Sequence, residues 1–385
     1  MWSYPEIQIR LLPTLLLTGL LVTAPVIAQP SQTIRTQDAA IRVVTVASGL
    51  ENPWGMAFLP DGRLLVTERP GRLRMVAKDG RQSPPLGNVP KVFDSGQGGL
   101  LDIALDPDFA RNRLLYFTYA EPGASSEGGG AGTALASAVF SETTLTDVKV
   151  LFRQQPKLSG GLHFGSRVVV GSDGKLWLGV GERYRRDEAQ KLSVHLGKVM
   201  RLNRDGSVPA DNPFVGRGDA RPEIWSYGHR NIQGMARHPQ TGVVWLHEHG
   251  AQGGDEINIP ERGKNYGWPV ITHGIDYSGA KIGIGTAAPG MEQPLLHWTP
   301  SIAPSGMAFY TGDRIPAWKG SLFVGSLKFG TLHRVVLDGT RVVRQEQMLK
   351  EIDDNIRDVR DGPDGFLYLA TDNPRGRILR LEPAD

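Results

Sequence analysis

One hairpin recurs six times along this chain, and it limits the fold more than any other feature. A short apolar run leads into a turn rich in Pro, Asp and Gly, and a second, strongly apolar run follows. The copies span residues 54–76 (WGMAFLPDGRLLVTERPGRLRMV), 100–119, 166–202, 233–247 (QGMARHPQTGVVWLH), 305–337 and 358–381. Several copies add a third alternating run, such as RLRMV or RILRL. Asp-Gly between apolar runs is the strongest short hairpin signal. The turns fall near Asp61, Asp106, Asp173, His238, Gly312 and Asp364. Their spacing meets or exceeds the roughly 40–50 residues that a four-stranded propeller blade needs. Longer gaps then hold inserted loops. No helical period is sustained. Two β-sandwich domains would not repeat one hairpin six times. The pattern predicts an all-β chain: a six-bladed β-propeller of four-stranded antiparallel blades over residues 29–385.

Ahead of the repeats, Arg10 is followed by an apolar run over 11–27 that ends in Val26-Ile27-Ala28. A charged start, an apolar middle and a small-residue end read as a secretory signal peptide over residues 1–28. The run is short for a membrane span. The expected location is periplasmic or secreted, with no stable membrane insertion after processing. The absence of cysteine excludes disulfides, thiol catalysis and Cys-ligated zinc. A formal net charge of +3 without a Lys/Arg-rich run gives no argument for nucleic acid. The 48 glycines and 27 prolines imply many turns and therefore many short strands.

Polar residues concentrate in the stretch 223–266, which holds His229, Arg230, Asn231, Gln233, His247, Glu248, Asp255 and Glu256. Such density costs free energy unless the groups meet a ligand, a metal or each other. The run GVVWL reads as a buried inner strand, with its polar flanks in loops. Where a chain enters an inner strand, a propeller presents side chains to its central channel. Gln97 and His163 stand at such places, as do Arg230, Asn231 and Gln233. Lys328 follows an apolar run and Arg357 precedes one. Together they would give one imidazole, three cations and several amides, a pocket suited to a polyanionic ligand. His is the natural side chain to take a proton near neutral pH. The Gly/Ser/Ala-rich segment 121–137 reads as a surface loop, and the insertion 255–298 as a cover for the top face or a dimer contact.

The motifs NPWGMAFLPDGRLLVTER, GQGGLLDIALDPDF, GLHFGSRVVVGSDGKLWLGVGE, GHRNIQGMA, GDEINIPERGKNYGWP, APSGMAFY, GSLKFGTLHRV and IRDVRDGPDG resemble, in this order, those of the soluble PQQ-dependent aldose sugar dehydrogenases, relatives of soluble quinoprotein glucose dehydrogenase. The resemblance covers nearly the whole chain after residue 28. It implies PQQ, a tricarboxylic ortho-quinone, bound with calcium. His163 becomes the general base. Gln97, Arg230, Asn231, Lys328, Phe329, Gly330, Arg357 and Asp358 fall in the cofactor set. Gly250 and Ala251 would offer carbonyls to the Ca²⁺ beside PQQ, and Glu256 and Tyr266 would belong to a second Ca²⁺ site. Asn355 stands where the glucose enzyme has a second arginine. The implied reaction is oxidation of an aldose at its anomeric carbon to a lactone, with a soluble electron acceptor, by a monomer or homodimer.

Two other readings remain open on residues alone. A metal-dependent lactonase-type propeller would need carboxylates converging on a metal in the channel, with Glu68, Asp102 and Glu182 as candidates. A non-catalytic propeller binding a sugar or a partner would need neither metal nor base.

Overall fold

Each of the six repeats opens one antiparallel sheet, and the six sheets form a β-propeller. The computed structural model describes residues 33–124 and 129–384. The signal peptide expected over 1–28 lies outside the described residues. The innermost strands are Pro53–Phe58, Leu100–Leu105, Gly165–Val170, Ile232–Arg237, Pro304–Phe309 and Ile356–Asp361. Each touches the next around a ring, and Ile356–Asp361 meets Pro53–Phe58 to complete it. The last sheet is closed by the N-terminal strand Ala40–Leu50, which pairs with Gly376–Pro383. The two ends of the described chain are thereby tied into one blade.

Four sheets have the expected four strands. The last has five, because Thr33–Arg35 and Ala40–Leu50 both join it. The first has three: Pro53–Phe58, Leu64–Glu68 and Arg72–Val76. After Val76 the chain runs back beside Arg72–Val76 without forming a strand: Val76 pairs with Gln82, and Ser83 N and Leu86 N donate to the Met75 and Leu73 carbonyls (both 2.8 Å). Pro84, Pro85 and Pro90 follow, and a residue without an N–H cannot extend a ladder.

Two local readings are corrected. The run GVVWL enters Val244–Glu248, a second strand rather than an innermost one, and His247 and Glu248 belong to it rather than to a loop. The segment 121–137 is half strand. Leu114–Pro122 and Ala131–Phe140 pair along their length, and the Ala-rich strand is buried. Ala134, Ala136 and Ala138 lie against Phe117, Tyr119 and Phe140, where larger side chains would not fit.

Two devices at the inner strands position the site. Gly sits at the same place in WGMA, QGMA and SGMA because neighbouring chain is too close for a side chain. A Cβ on Gly306 would lie 2.4 Å from the Val359 nitrogen, and one on Gly234 would lie 2.1 Å from His247 Nε2. Every innermost strand also slips register near its start, as at Pro53/Gly55, Gly165/Val168, Ile232/Gly234 and Ile356/Asp358. Such bulges re-aim side chains and recur beside functional sites. Here they occur where the chain enters the channel.

Candidate active site

His163 lies just before the strand Gly165–Val170, in a left-handed backbone conformation (φ +52°) that non-glycine residues seldom adopt. Neighbours hold it there. Its N–H donates to Gln97 Oε1 at 2.8 Å. Arg183 donates to the carbonyls of Leu162 (2.7 Å), Gly160 (2.6 Å) and Ala131 (2.5 Å), clamping the loop that carries it. The imidazole Nδ1 faces Glu182 Oε2 at 3.0 Å, and the ring of Tyr184 meets it edge-on at 5.4 Å. A carboxylate on Nδ1 fixes the tautomer with the proton on that nitrogen and leaves Nε2 as acceptor. Burial lowers the His163 pKa, Glu182 opposes that, and Arg230 adds to it. The ring is therefore neutral near pH 7 and able to accept a proton.

Two adjoining clefts open beside this pair. One is lined by Trp54, Arg69, Gln97, Asn231, Gln233 and Arg357, among others. The second, roomier one is lined by Glu182, Tyr184, Arg230, Ala251, Trp268 and Tyr277, among others. Arg230 and Asn231 are consecutive and face one cleft each. The polar groups here have capacity to spare. Asn231 Oδ1 accepts from Gly165 N (3.1 Å), but its Nδ2 has no partner. The Nε atoms of Arg69, Arg230 and Arg357 are likewise buried without partners. Arg230 lies over the Trp268 ring at 5.2 Å and reaches the His249 carbonyl at 3.3 Å. Arg357 lies over Trp54 at 5.7 Å, donates to Gln233 Oε1 at 3.3 Å and pairs with Asp372 at 2.5 Å. Buried donors are ordinarily satisfied, so such a cluster marks a ligand site. Three guanidiniums and an amide suit a polycarboxylate.

The remaining expected residues divide. Gln97, His163, Arg230, Asn231 and Arg357 are brought together. Lys328, Phe329 and Gly330 form a hairpin turn at the rim, beside Leu327, which lines the first cleft. The Lys328 ammonium lies 5.2 Å from the Phe329 ring. Gly330 has φ +60°, and a Cβ there would stand 2.8 Å from the Asp354 carbonyl. Asp358 does not join them. It is buried, accepts from Met56 N (3.0 Å), and is paired with Arg167 and Arg360 (both 2.8 Å). Successive side chains along a strand alternate faces, so Asp358 is aimed away from Arg357, its neighbour on Ile356–Asp361. Asn355 is exposed.

The three lactonase carboxylates do not converge. Glu68 is held by Arg72 (2.7 Å) and Arg74 (2.8 Å), Asp102 by Arg167 (3.2 Å) and Arg360 (2.6 Å), and Glu182 by His163.

Comparison with known proteins agrees with this geometry. Residues 50–380 match the family model described as Glucose / Sorbosone dehydrogenase. The chain belongs to the glucose/sorbosone dehydrogenase family. It is 46% identical to aldose sugar dehydrogenase YliI of Escherichia coli over 350 residues, covering 90% of this chain and 94% of that one. A crystal structure of a glucose dehydrogenase superposes with a TM-score of 0.87 at 50% identity, covering 89% and 99% of the two chains. The PQQ-bound form of an aldose sugar dehydrogenase from Streptomyces coelicolor is 29% identical, with a TM-score of 0.73 and coverage of 92% and 100%.

The residues expected to meet calcium fall in two places, Gly250 and Ala251 just before the insertion and Glu256 and Tyr266 within it, Glu256 on the strand Asp255–Asn258. Gly250 donates to Asp255 Oδ1 at 2.8 Å, and a Cβ on Gly250 would lie 2.1 Å from the Gly253 carbonyl oxygen and 2.5 Å from that of Gly254. Carbonyl oxygens thus crowd beside Ala251 at the edge of the second cleft. Glu256 stands directly across the strands from Glu248, and Asn258 Oδ1 nearby is buried without a partner. Burial, then the neighbouring Glu248, push the Glu256 carboxyl up to about 8. Facing carboxylates destabilise a strand pair unless a cation joins them. The Tyr266 hydroxyl donates to the Ile259 carbonyl and accepts from Glu261 N (2.9 Å), so only its carbonyl is left for a metal.

Sequence reasoning missed Arg69, Arg183, Trp268 and Tyr277, and named Glu182 only as a candidate metal ligand of the alternative lactonase reading. One signal for Glu182 was available. The hairpin register Gly165↔Val180, continued two residues further, sets His163 against Glu182.

Proposed function

We propose that this chain oxidises aldose sugars at the anomeric carbon to lactones, using PQQ and calcium. The observation that carries this reading is a neutral imidazole, braced by Glu182, beside clefts lined by arginines whose buried Nε groups have no partner. Those donors fit PQQ: Arg69, Arg230, Arg357 and Asn231 within the clefts, and Lys328 at the rim, would meet its carboxylates and quinone oxygens. The carbonyls of Gly250 and Ala251 would hold one Ca²⁺, and Glu248, Glu256 and the Tyr266 carbonyl a second, since oxygen ligands suit this hard cation. When bound, PQQ supplies a two-electron acceptor, with Ca²⁺ as the Lewis acid on it.

The chain's own part is placement and proton transfer. His163 Nε2 takes the proton of the anomeric hydroxyl. Glu182 keeps the ring oriented and stabilises the imidazolium that forms. Arg230, already stacked on Trp268, offers a donor to negative charge developing in the cleft. We further read residues 1–28 as an export signal, consistent with a periplasmic or secreted enzyme. Among the described residues no helix is long and apolar enough to cross a membrane.

The test is dye-linked sugar oxidation by apoprotein given PQQ and Ca²⁺. Wild type should reduce the dye with an aldose, and His163→Ala should bind PQQ but turn over about 10²–10⁴-fold more slowly. Near-normal turnover by His163→Ala at saturating PQQ, or lactone hydrolysis without PQQ, would refute the reading.

A further inference from the structure

Lys198 is fully buried, and it has no ion pair with a carboxylate among the described residues. A buried ammonium costs free energy unless its charge is met. Here the main chain meets it. The ammonium donates to the carbonyls of Glu188 (3.1 Å), Ala189 (2.9 Å) and Leu196 (2.5 Å), using all three of its N–H groups. Burial draws the Lys198 pKa down to about 7, with Glu188 opposing that. Three carbonyl acceptors favour the charged form.

The three carbonyls belong to one loop. It leaves the strand Leu176–Val180, makes the short helical turn Arg186–Gln190 and returns into Lys198–Leu202. Carbonyls that end such a turn need partners outside it, and Lys198 donates to two of them. From the same turn, Gln190 donates to the Trp268 carbonyl (2.7 Å) and exchanges hydrogen bonds with the Asn265 amide (2.8 and 3.0 Å). Ala189 packs with Ala251, Trp268 and Ile282. The turn therefore ties one wall of the second cleft, with Tyr184 and Arg186, to the other, with Trp268, Asp276 and Tyr277. Arg186 reaches Asp276 across the cleft at 3.6 Å. Glu182 and Arg183, at the start of the loop, are held separately. Glu182 N donates to the Arg230 carbonyl (2.9 Å), and Arg183 grips the chain before His163. The Lys198 contacts thus bear on the wall beyond the His163–Glu182 pair and not on the pair itself.

We propose that Lys198 is a positioning residue for sugar binding: its buried ammonium fixes the turn Arg186–Gln190, and with it the wall of the second cleft that receives the aldose. This rests on the sugar oxidation proposed above. The second cleft is the one that reaches Glu182, and its two tyrosines offer apolar faces with polar tips to a sugar ring.

The test compares full-length wild type, Lys198→Met and Gln190→Leu. Amide hydrogen exchange on the apoproteins needs no turnover. The amides of Glu188 and Lys191, which close the turn at 2.9 and 3.1 Å, should exchange about tenfold faster in Lys198→Met, as for loss of one hydrogen bond to a charged group, while the strand Gly165–Val170 stays protected. With PQQ and Ca²⁺ saturating, KM for the aldose should rise about tenfold in both variants and kcat should hold within about twofold, the mark of lost binding rather than lost chemistry. Gln190 is only half-buried, so Gln190→Leu decides the matter if Lys198→Met does not fold. Unchanged exchange at Glu188 and Lys191 in Lys198→Met, or an unchanged KM in either variant, overturns the proposal. Wild type that oxidises no aldose, while Lys198→Met still frees the turn, would instead refute the enzymatic reading and leave the hold of Lys198 on the turn standing.

Discussion

Two clusters of buried charge lie along the channel and treat their arginines differently. In the inner cluster, Arg167 and Arg360 face Asp102 and Asp358, two cations against two carboxylates, at 2.6–3.2 Å. Arg167 also donates to the carbonyls of Gln233 (2.6 Å) and Arg357 (3.1 Å) and stacks on Trp54 at 4.2 Å. It ties its own innermost strand to four others. In the outer cluster, Arg69 and Arg230 have no carboxylate partner among the described residues, and Arg357 has one. The inner network closes on itself and is structural. The outer one keeps donors free, which a folded chain tolerates only where a ligand will use them. Trp54 lies between Arg167 and Arg357, so the inner cluster also supports the outer one.

The contrast can be broken experimentally. Arg167→Met should have the largest effect, because it leaves two buried carboxylates facing one guanidinium. A loss of about 3–5 kcal/mol is expected in chemical denaturation. An unchanged unfolding midpoint would mean that the inner cluster is not structural. Calcium comes next. At a hundredfold excess over its dissociation constant, a ligand bound only by the folded state adds about 2.7 kcal/mol. Chelation should therefore lower the melting temperature, and no shift would argue against both proposed calcium sites. Glu182→Gln should cost about 10–100-fold in turnover, the usual worth of a carboxylate that orients an imidazole. The same pair governs the pH profile. Because burial lowers the His163 pKa, activity should be lost only as pH falls below the ordinary histidine value of about 6.5. Glu182 raises that pKa, so Glu182→Gln should move the acid limb to lower pH. A limb that stays in place would remove Glu182 from the site.

The repeat and the blade count were readable because hairpin turns and alternating apolar runs are local. Gln97, His163, Arg230, Asn231 and Arg357 were readable because each is a polar residue at the start of an apolar strand. Asp358 was grouped with Arg357 on sequence proximity alone, although consecutive residues of a strand face opposite ways, and Asp358 turns to Arg167 and Arg360. Trp268 and Tyr277 come from the insertion, where no repeat fixes their position. The buried Ala-rich strand Ala131–Phe140 passed for a loop because small residues read as flexible, until Phe117 and Tyr119 are seen against it.

Arg230→Gln tests most directly the proposal that the outer arginines are kept for an anionic quinone. Unfolding and PQQ titration would be measured on the same apoprotein. Arg230 has no carboxylate to strand, so apoprotein stability should hold or rise. PQQ affinity should fall by about 10–100-fold, since a hydrogen bond to a charged group contributes roughly 1.5–3 kcal/mol. A variant that unfolds more readily yet binds PQQ as tightly as wild type would contradict the account.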